Sequence, residues 1–206
     1  MPEPWRVVQS LVTFEDRWIK VRTDRCVDRT GRVIDAYHVL EYPTWINIVA
    51  LTTDGRIVLA REYRHGVGAV VTGLPCGTME RGDPDVEAVA RRELEEETGY
   101  VGGLYRSLAI NYANPANQDN SSRATLLLGV EPTGTRNLDP SEEIEVVVDD
   151  YVAFMARFWR DGVPLQVSHA AALHQAALFL MKGPGPPGAA DLRRALRDEF
   201  ARVIEE

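Results

Sequence analysis

The chain has 206 residues, 45% of them hydrophobic and 26% charged, which suits one substantial globular domain with an appendage. Its formal net charge of -8 argues against a protein that grips nucleic-acid backbone. The absence of a long apolar run argues against a membrane span, and the opening MPEPWRVVQS has no basic segment leading into an apolar core, so no secretory leader is expected.

Residues 5–42 read as short strands joined by turns. Trp18–Arg22 alternates apolar and polar residues, Asp28–Arg32 is turn-rich, and Val33–Glu41 reads as the return strand of an antiparallel hairpin. The hairpin is too small to stand alone and should dock on the main domain or on a second subunit. Cys26 and Cys76 show no CxxC or Cys/His metal spacing and read as reduced thiols of a cytoplasmic protein. Trp45–Thr52 is a β-branched strand, Asp54–Gly55 a turn, and Arg56–Tyr63 the next strand.

Gly77–Tyr100 reads GTMERGDPDVEAVARRELEEETGY, a glycine-bearing loop that becomes a helix. Asp83 is the expected N-cap, Pro84 the first helical residue and Gly99 a left-handed C-cap. Four glutamates, Glu93, Glu95, Glu96 and Glu97, crowd the last turn, where the helix dipole is already negative. At about 100° per residue, Val86, Val89 and Ala90 form an apolar stripe. Glu93 and Glu97 project into it and Glu96 lies at its edge. Glu95 points away, four residues after Arg91, as a solvated pair. Inward carboxylates need a compensating cation, and an all-oxygen ligand set suits a hard divalent ion such as Mg2+.

Beyond the helix, Leu104–Asn111 and Ala124–Val130 read as strands flanking a polar, turn-rich loop over residues 112–122, a plausible substrate rim. Residues 131–143 form a second acidic loop before the strand Ile144–Val148. Asp149–Arg160 and Ala170–Met181 read as helices, with His169 and His174 structural. Gly183–Gly188 is a linker, and Asp191–Ile204 carries Leu192, Leu196, Phe200 and Val203/Ile204 on one stripe of an amphipathic helix.

The Gly77–Tyr100 segment closely resembles the Nudix box, G-x5-E-x7-R-E-U-x-E-E-x-G-U, through Gly77, Arg92, Glu93, Leu94, Glu96, Glu97, Gly99 and Tyr100. Asp83 stands where the box has its first Glu, and eight residues, not seven, separate it from Arg92. Gly73-Leu-Pro-Cys-Gly77 resembles the family's E-L/V-P-A-G, with Gly73 in place of Glu and Cys76 in place of Ala.

The resemblance implies an α+β fold, the α/β/α Nudix sandwich. Residues 1–43 would be an N-terminal antiparallel β subdomain that dimerises, 44–182 the hydrolase domain, 183–190 a linker and 191–206 a C-terminal helix. It implies Mg2+, with Mn2+ as a substitute, held by Glu93, Glu96, Glu97 and the backbone carbonyl of Cys76. Arg92 and Glu96 belong to the catalytic group, and Arg92 pairs with the acids. Glu142 or Glu143 would be the general base, with Glu142 favoured. Arg64, in an E-Y-R segment, would brace phosphate. Pro115, sixteen residues after Gly99, points to nucleotide sugars rather than dinucleoside polyphosphates.

The implied activity is hydrolysis of the diphosphate linkage in nucleoside diphosphate derivatives. ADP-ribose is favoured, giving AMP and ribose 5-phosphate, with no nucleic-acid or membrane partner. The alternatives are another nucleotide substrate (GDP-mannose, NADH or a dinucleoside polyphosphate) or a non-catalytic ligand sensor of the same fold.

Overall fold

A computed structural model describes residues 1, 3–138, 142–182 and 189–205. The linker expected at Gly183–Gly188 lies outside them. The chain divides into two compact units, residues 1–44 with 112–121, and residues 45–111 with 122–206.

The first unit is a three-stranded antiparallel sheet, β1 (Arg6–Glu15), β2 (Lys20–Val27) and β3 (Val33–Glu41), in that order. The expected hairpin is β2–β3, with β1 added on the other edge of β2. The Asp28 carboxylate closes the β2–β3 turn by accepting from the N–H groups of Thr30 and Arg32 at 2.8 and 3.1 Å. Residues 112–121, read from the sequence as a rim of the main domain, belong to this unit. The Leu40 N–H donates to the Asn117 carbonyl at 2.8 Å. Every residue of β1 is exposed.

In the second unit a mixed sheet runs in the order β10 (Ile144–Asp150), β5 (Arg56–Arg64), β4 (Trp45–Thr52), β9 (Ser121–Pro132) and β8 (Tyr100–Tyr112). Two short strands, β6 (Ala69–Gly73) on β5 and β7 (Cys76–Thr78) on β4, were not legible as strands. β4 pairs antiparallel with β5 and β7 but parallel with β9. Its six central residues are all buried, as a strand covered on both faces requires.

Ile46, Ile48 and Ala50 pack under helix α1 (Val86–Thr98) with Val89, Ala90 and Leu94. Val49, Leu51, Ile57 and Leu59 face α2 (Tyr151–Arg160), α3 (Val167–Lys182) and α4 (Ala189–Glu205) through Phe154, Leu173 and Leu196. This is a three-layer α/β/α arrangement. No described helix is long and apolar enough to cross a membrane.

α4 packs on its own unit. Leu196 is fully buried, the Trp159 and Phe200 rings meet edge-on at 5.1 Å, and Arg197 Nε donates to the Met181 carbonyl at 2.9 Å. The expected stripe ends early, since Ile204 is exposed. α3 begins three residues before the expected start and includes His169.

His169 is buried and structural in its contacts: Nδ1 accepts from the Leu74 N–H at 3.2 Å. A Cβ at position 73 would stand 2.6 Å from that nitrogen, so only glycine leaves room for the ring. Burial, and then the Arg64 charge, lower the imidazole from its ordinary 6.5 to about 4. Between those values the folded chain binds fewer protons than the unfolded one. The stability owed to neutral His169 is therefore complete above pH 6.5 and declines as pH falls toward 4, by up to about 3 kcal/mol. Urea unfolding at the two pH values should show this loss. His169→Phe should start less stable by about 1–3 kcal/mol, because the Leu74 N–H loses its acceptor, and should lack this share of the acid sensitivity.

Candidate active site

The site is built on α1 and the strand beneath its C-terminal half. The helix does not start as the sequence suggested. Asp85, not Asp83, is the N-cap: its backbone is extended and its carboxylate accepts from the Ala88 N–H at 2.9 Å. Asp83 instead closes the preceding loop, accepting from the Glu80 N–H at 2.7 Å, and lies 3.8 Å from Arg92. The extra residue in the box is therefore absorbed before the helix begins. Pro84 lies in the loop.

At the other end Gly99 is the left-handed C-cap (φ 71°), and its N–H donates to the Glu95 carbonyl at 2.8 Å. A Cβ there would also meet the Thr135 carbonyl at 2.9 Å. Arg91 does not pair with Glu95. It binds Glu87 at 2.8 Å and the carbonyls of Gly102 and Gly103 at 2.7 and 3.2 Å, leaving Glu95 exposed.

The inward phase of the glutamates is as expected. Glu97 is 6% exposed, and its Oε2 accepts from the Cys76 N–H at 3.1 Å. Glu93 lies against Gly77, where an added Cβ would stand 2.0 Å from its carboxyl carbon. Glu96 is half-buried and held by Arg92 at 3.1 Å; the same guanidinium meets Glu93 at 2.9 Å. Burial raises Glu97 to about 9 against the Cys76 hydrogen bond, with Glu93, Glu62 and Glu142 adding repulsion. Burial also raises Glu93 to about 7; Arg92 opposes this, and Glu96 and Glu142 add to it.

Glu62 on β5 is the acid that the sequence reading missed. It is opposite Ile144 in the β5–β10 pairing, two residues after Glu142. Burial raises its carboxyl, Arg64 pulls it down, and the Glu142 charge raises it again. Glu62 Oε1 is 2.6 Å from Arg64 Nη2, which reaches Cys76 Sγ at 3.7 Å. Only the adjacency to Arg64 in the E-Y-R segment could have flagged it.

Glu142 is exposed yet acts electrostatically on Glu62, Glu93 and Glu97. Glu143 is exposed as well. The loop before them is tied to α1: Asn137 N–H donates to the Glu96 carbonyl at 3.1 Å, and Thr133 N–H to that of Gly99 at 2.7 Å. The Cys76 thiol is pushed up to about 12 by burial and by Glu97, so it is no nucleophile. Pro115 lies in the other compact unit, in a turn where the Asn114 carbonyl accepts from Gln118 N–H at 2.8 Å.

Among the described residues no three His, Cys, Asp or Glu side chains form a ready-made metal cage. The donor chemistry nevertheless fits a hard divalent cation. The Glu93 and Glu97 carboxylates lie close to further acids; Arg92 meets Glu93, while Glu97 has the Cys76 N–H.

A family profile described as NUDIX domain matches residues 42–161, more than half of the chain, and the chain belongs to that family. It is a hydrolase of the pyrophosphatase kind. It is 27% identical over 133 residues to an ADP-ribose pyrophosphatase of Bacillus subtilis, covering 57% of this chain and 71% of that protein. It is 29% identical over 170 residues to a putative nudix hydrolase of Caenorhabditis elegans, covering 74% and 75%. A crystal structure titled as an ADP compounds hydrolase superposes with a TM-score of 0.76 at 18% identity, covering 87% of this chain and 96% of that one. That likeness bears on the fold, which is the α/β/α Nudix sandwich expected.

Gly77 tests the packing directly. In Gly77→Ala the new methyl should push the Glu93 carboxylate off the backbone. Turnover should fall steeply while circular dichroism keeps its native form; unchanged turnover would show that Glu93 has another place to go.

Proposed function

We propose that this chain hydrolyses the diphosphate linkage of nucleoside diphosphate derivatives, with ADP-ribose as the favoured substrate and AMP and ribose 5-phosphate as products. The observation that carries the reading is the convergence of Glu62, Glu93, Glu97 and Glu142 beside Arg64. The pyrophosphatase relatives support the substrate class.

Mg2+, or Mn2+ in its place, would be held by Glu93, Glu97 and Glu96 with the Cys76 carbonyl. When bound, it supplies charge neutralisation for the diphosphate and a lowered pKa for water. The remaining work falls to the chain's own groups. Arg64 braces phosphate oxygens, and in doing so exchanges Glu62 for the substrate. Arg92 fixes Glu93 and Glu96 in place. Glu142 is the general base, because its charge is felt by Glu62, Glu93 and Glu97. Pro115, the residue that favours nucleotide sugars by resemblance, lies in a turn of the other compact unit.

We also place the chain as a homodimer in a reducing, cytoplasmic setting. Both cysteines are free thiols. The apolar residues Val7, Leu11, Val12 and Phe14 of β1 are each more than half exposed in the single chain, a surface suited to a second copy. Light scattering should then return about twice the 23.0 kDa of one chain, and Leu11→Glu with Phe14→Glu should return the monomer.

The catalytic reading is tested by turnover of ADP-ribose with Mg2+. Glu142→Gln should lower kcat by roughly 10²–10⁴-fold, while Glu143→Gln stays near wild type. The reverse ranking would move the base to Glu143. Mg2+ should raise the melting temperature of the wild type, since an ion bound only by the folded chain stabilises it. Glu97→Gln should remove most of that rise, a readout independent of catalysis.

A further inference from the structure

Glu62 and Arg64 stand two residues apart on β5, so their side chains leave the same face of the strand. Glu62 Oε1 and Arg64 Nη2 are 2.6 Å apart, a charge-assisted contact. The same Nη2 reaches the Cys76 sulfur at 3.7 Å. The two side chains are not equally free: that of Glu62 is 19% exposed and that of Arg64 44%. Arg64 also lines a cavity of about 790 Å3 between the β5–β6 hairpin and the segment leading into α3. When the pair opens, the arginine is the partner with somewhere to go.

Opening has a cost set by the neighbours. The Glu142 charge acts on Glu62, and the Glu62 charge in turn acts on Glu97. With Arg64 drawn away, Glu62 faces those acids without the cation it now has, and a half-buried carboxylate stripped of its partner is costly. An incoming phosphate brings more negative charge to the same place. A divalent cation beside Glu93 and Glu97 reverses that balance, because it supplies the positive charge that Arg64 takes away. Two ligands that each lower the cost of binding the other are coupled, and the coupling is reciprocal.

We propose that Glu62 is a latch on Arg64: it keeps the guanidinium from phosphate in the metal-free chain and gives it up once a divalent cation sits among the neighbouring acids. The ion thereby opens the site to the anion. Glu62 is a positioning residue, acting on the substrate only through Arg64. The inference rests on the phosphate role proposed above for Arg64, and its test separates the latch from the hydrolase.

Glu62→Gln keeps the shape of the side chain and removes its charge. AMP and ribose 5-phosphate, the products of the proposed reaction, carry a phosphate but no diphosphate to break. Their equilibrium binding to the full-length chain is measured in EDTA and again in Mg2+. The product that Arg64→Ala weakens more in Mg2+ reports on the arginine. Glu62→Gln should bind that product about tenfold more tightly than the wild type in EDTA, and within about threefold of the wild type in Mg2+. The latch is overturned if Arg64→Ala weakens neither product, or if Glu62→Gln gains nothing in EDTA. It is also overturned if the gain is as large in Mg2+, which is plain repulsion, or if Mg2+ reveals a large loss, the mark of a metal ligand. Turnover of ADP-ribose by the wild type reports separately. Turnover without the gain in EDTA removes the latch and keeps the hydrolase; the gain without turnover does the opposite.

Discussion

The site depends on one constraint: two carboxylates of α1 are pressed against the backbone of β7. β7 is held by three pairs to β4, so Cys76 and Gly77 are fixed relative to the sheet. α1 is fixed to the same sheet by Val89, Ala90 and Leu94. The helical phase that buries those residues also delivers Glu93 and Glu97, and a turn in either direction would cost the core its fit. The acids cannot swing out to water without unpacking the helix. Their raised pKa values express that conflict: where water is scarce, burial favours the protonated carboxyl over the charged one.

The same helix also anchors residues 133–137, ahead of the fourth acid. Gly99 ends α1 and allows the Thr135 carbonyl to approach, and two hydrogen bonds join residues 133 and 137 to carbonyls at the helix end. Arg136 Nη1 then donates to the Ile144 carbonyl at 2.8 Å, joining that loop to the first residue of β10. Glu142 stands two residues before Ile144, the anchored start of β10. Glu62, opposite Ile144, is reached by strand register alone. Acids far apart in the chain share a location because one helix end and one strand pairing meet there.

Much of this was legible because periodicity encodes it. The inward phase of Glu93 and Glu97 follows from 3.6 residues per turn, and the C-cap at Gly99 from the need for a left-handed residue. β4 and β5 were legible as β-branched runs. The misreadings have physical causes. Asp83 and Asp85 are both good caps, and nothing local shows that Asp83 is occupied by the Glu80 N–H and Arg92. Arg91 could have paired with Glu95, but the carbonyls of Gly102 and Gly103 were invisible before the chain folded. β6 and β7 are too short to show a period of two. Glu62 was hidden because its partners arrive through the β5–β10 register, a long-range fact.

Gly73 shows the limit of reading one position at a time. Against the family pattern it looks like a lost carboxylate. In the structure the space is taken by the His169 imidazole, which arrives from a helix 95 residues after Leu74. A side chain at position 73 and the ring at position 169 exclude each other. Removing the first makes a place for the second, and the second brings a hydrogen-bond acceptor for Leu74 and a donor at Nε2. An acidic group, which can only accept when ionised, has in effect been exchanged for a neutral one that donates. Such an exchange leaves Glu93, Glu97 and Arg64 where they are and puts a neutral ring beside them in place of a charge. A departure from a motif therefore carries information only once the residue that fills its space is known.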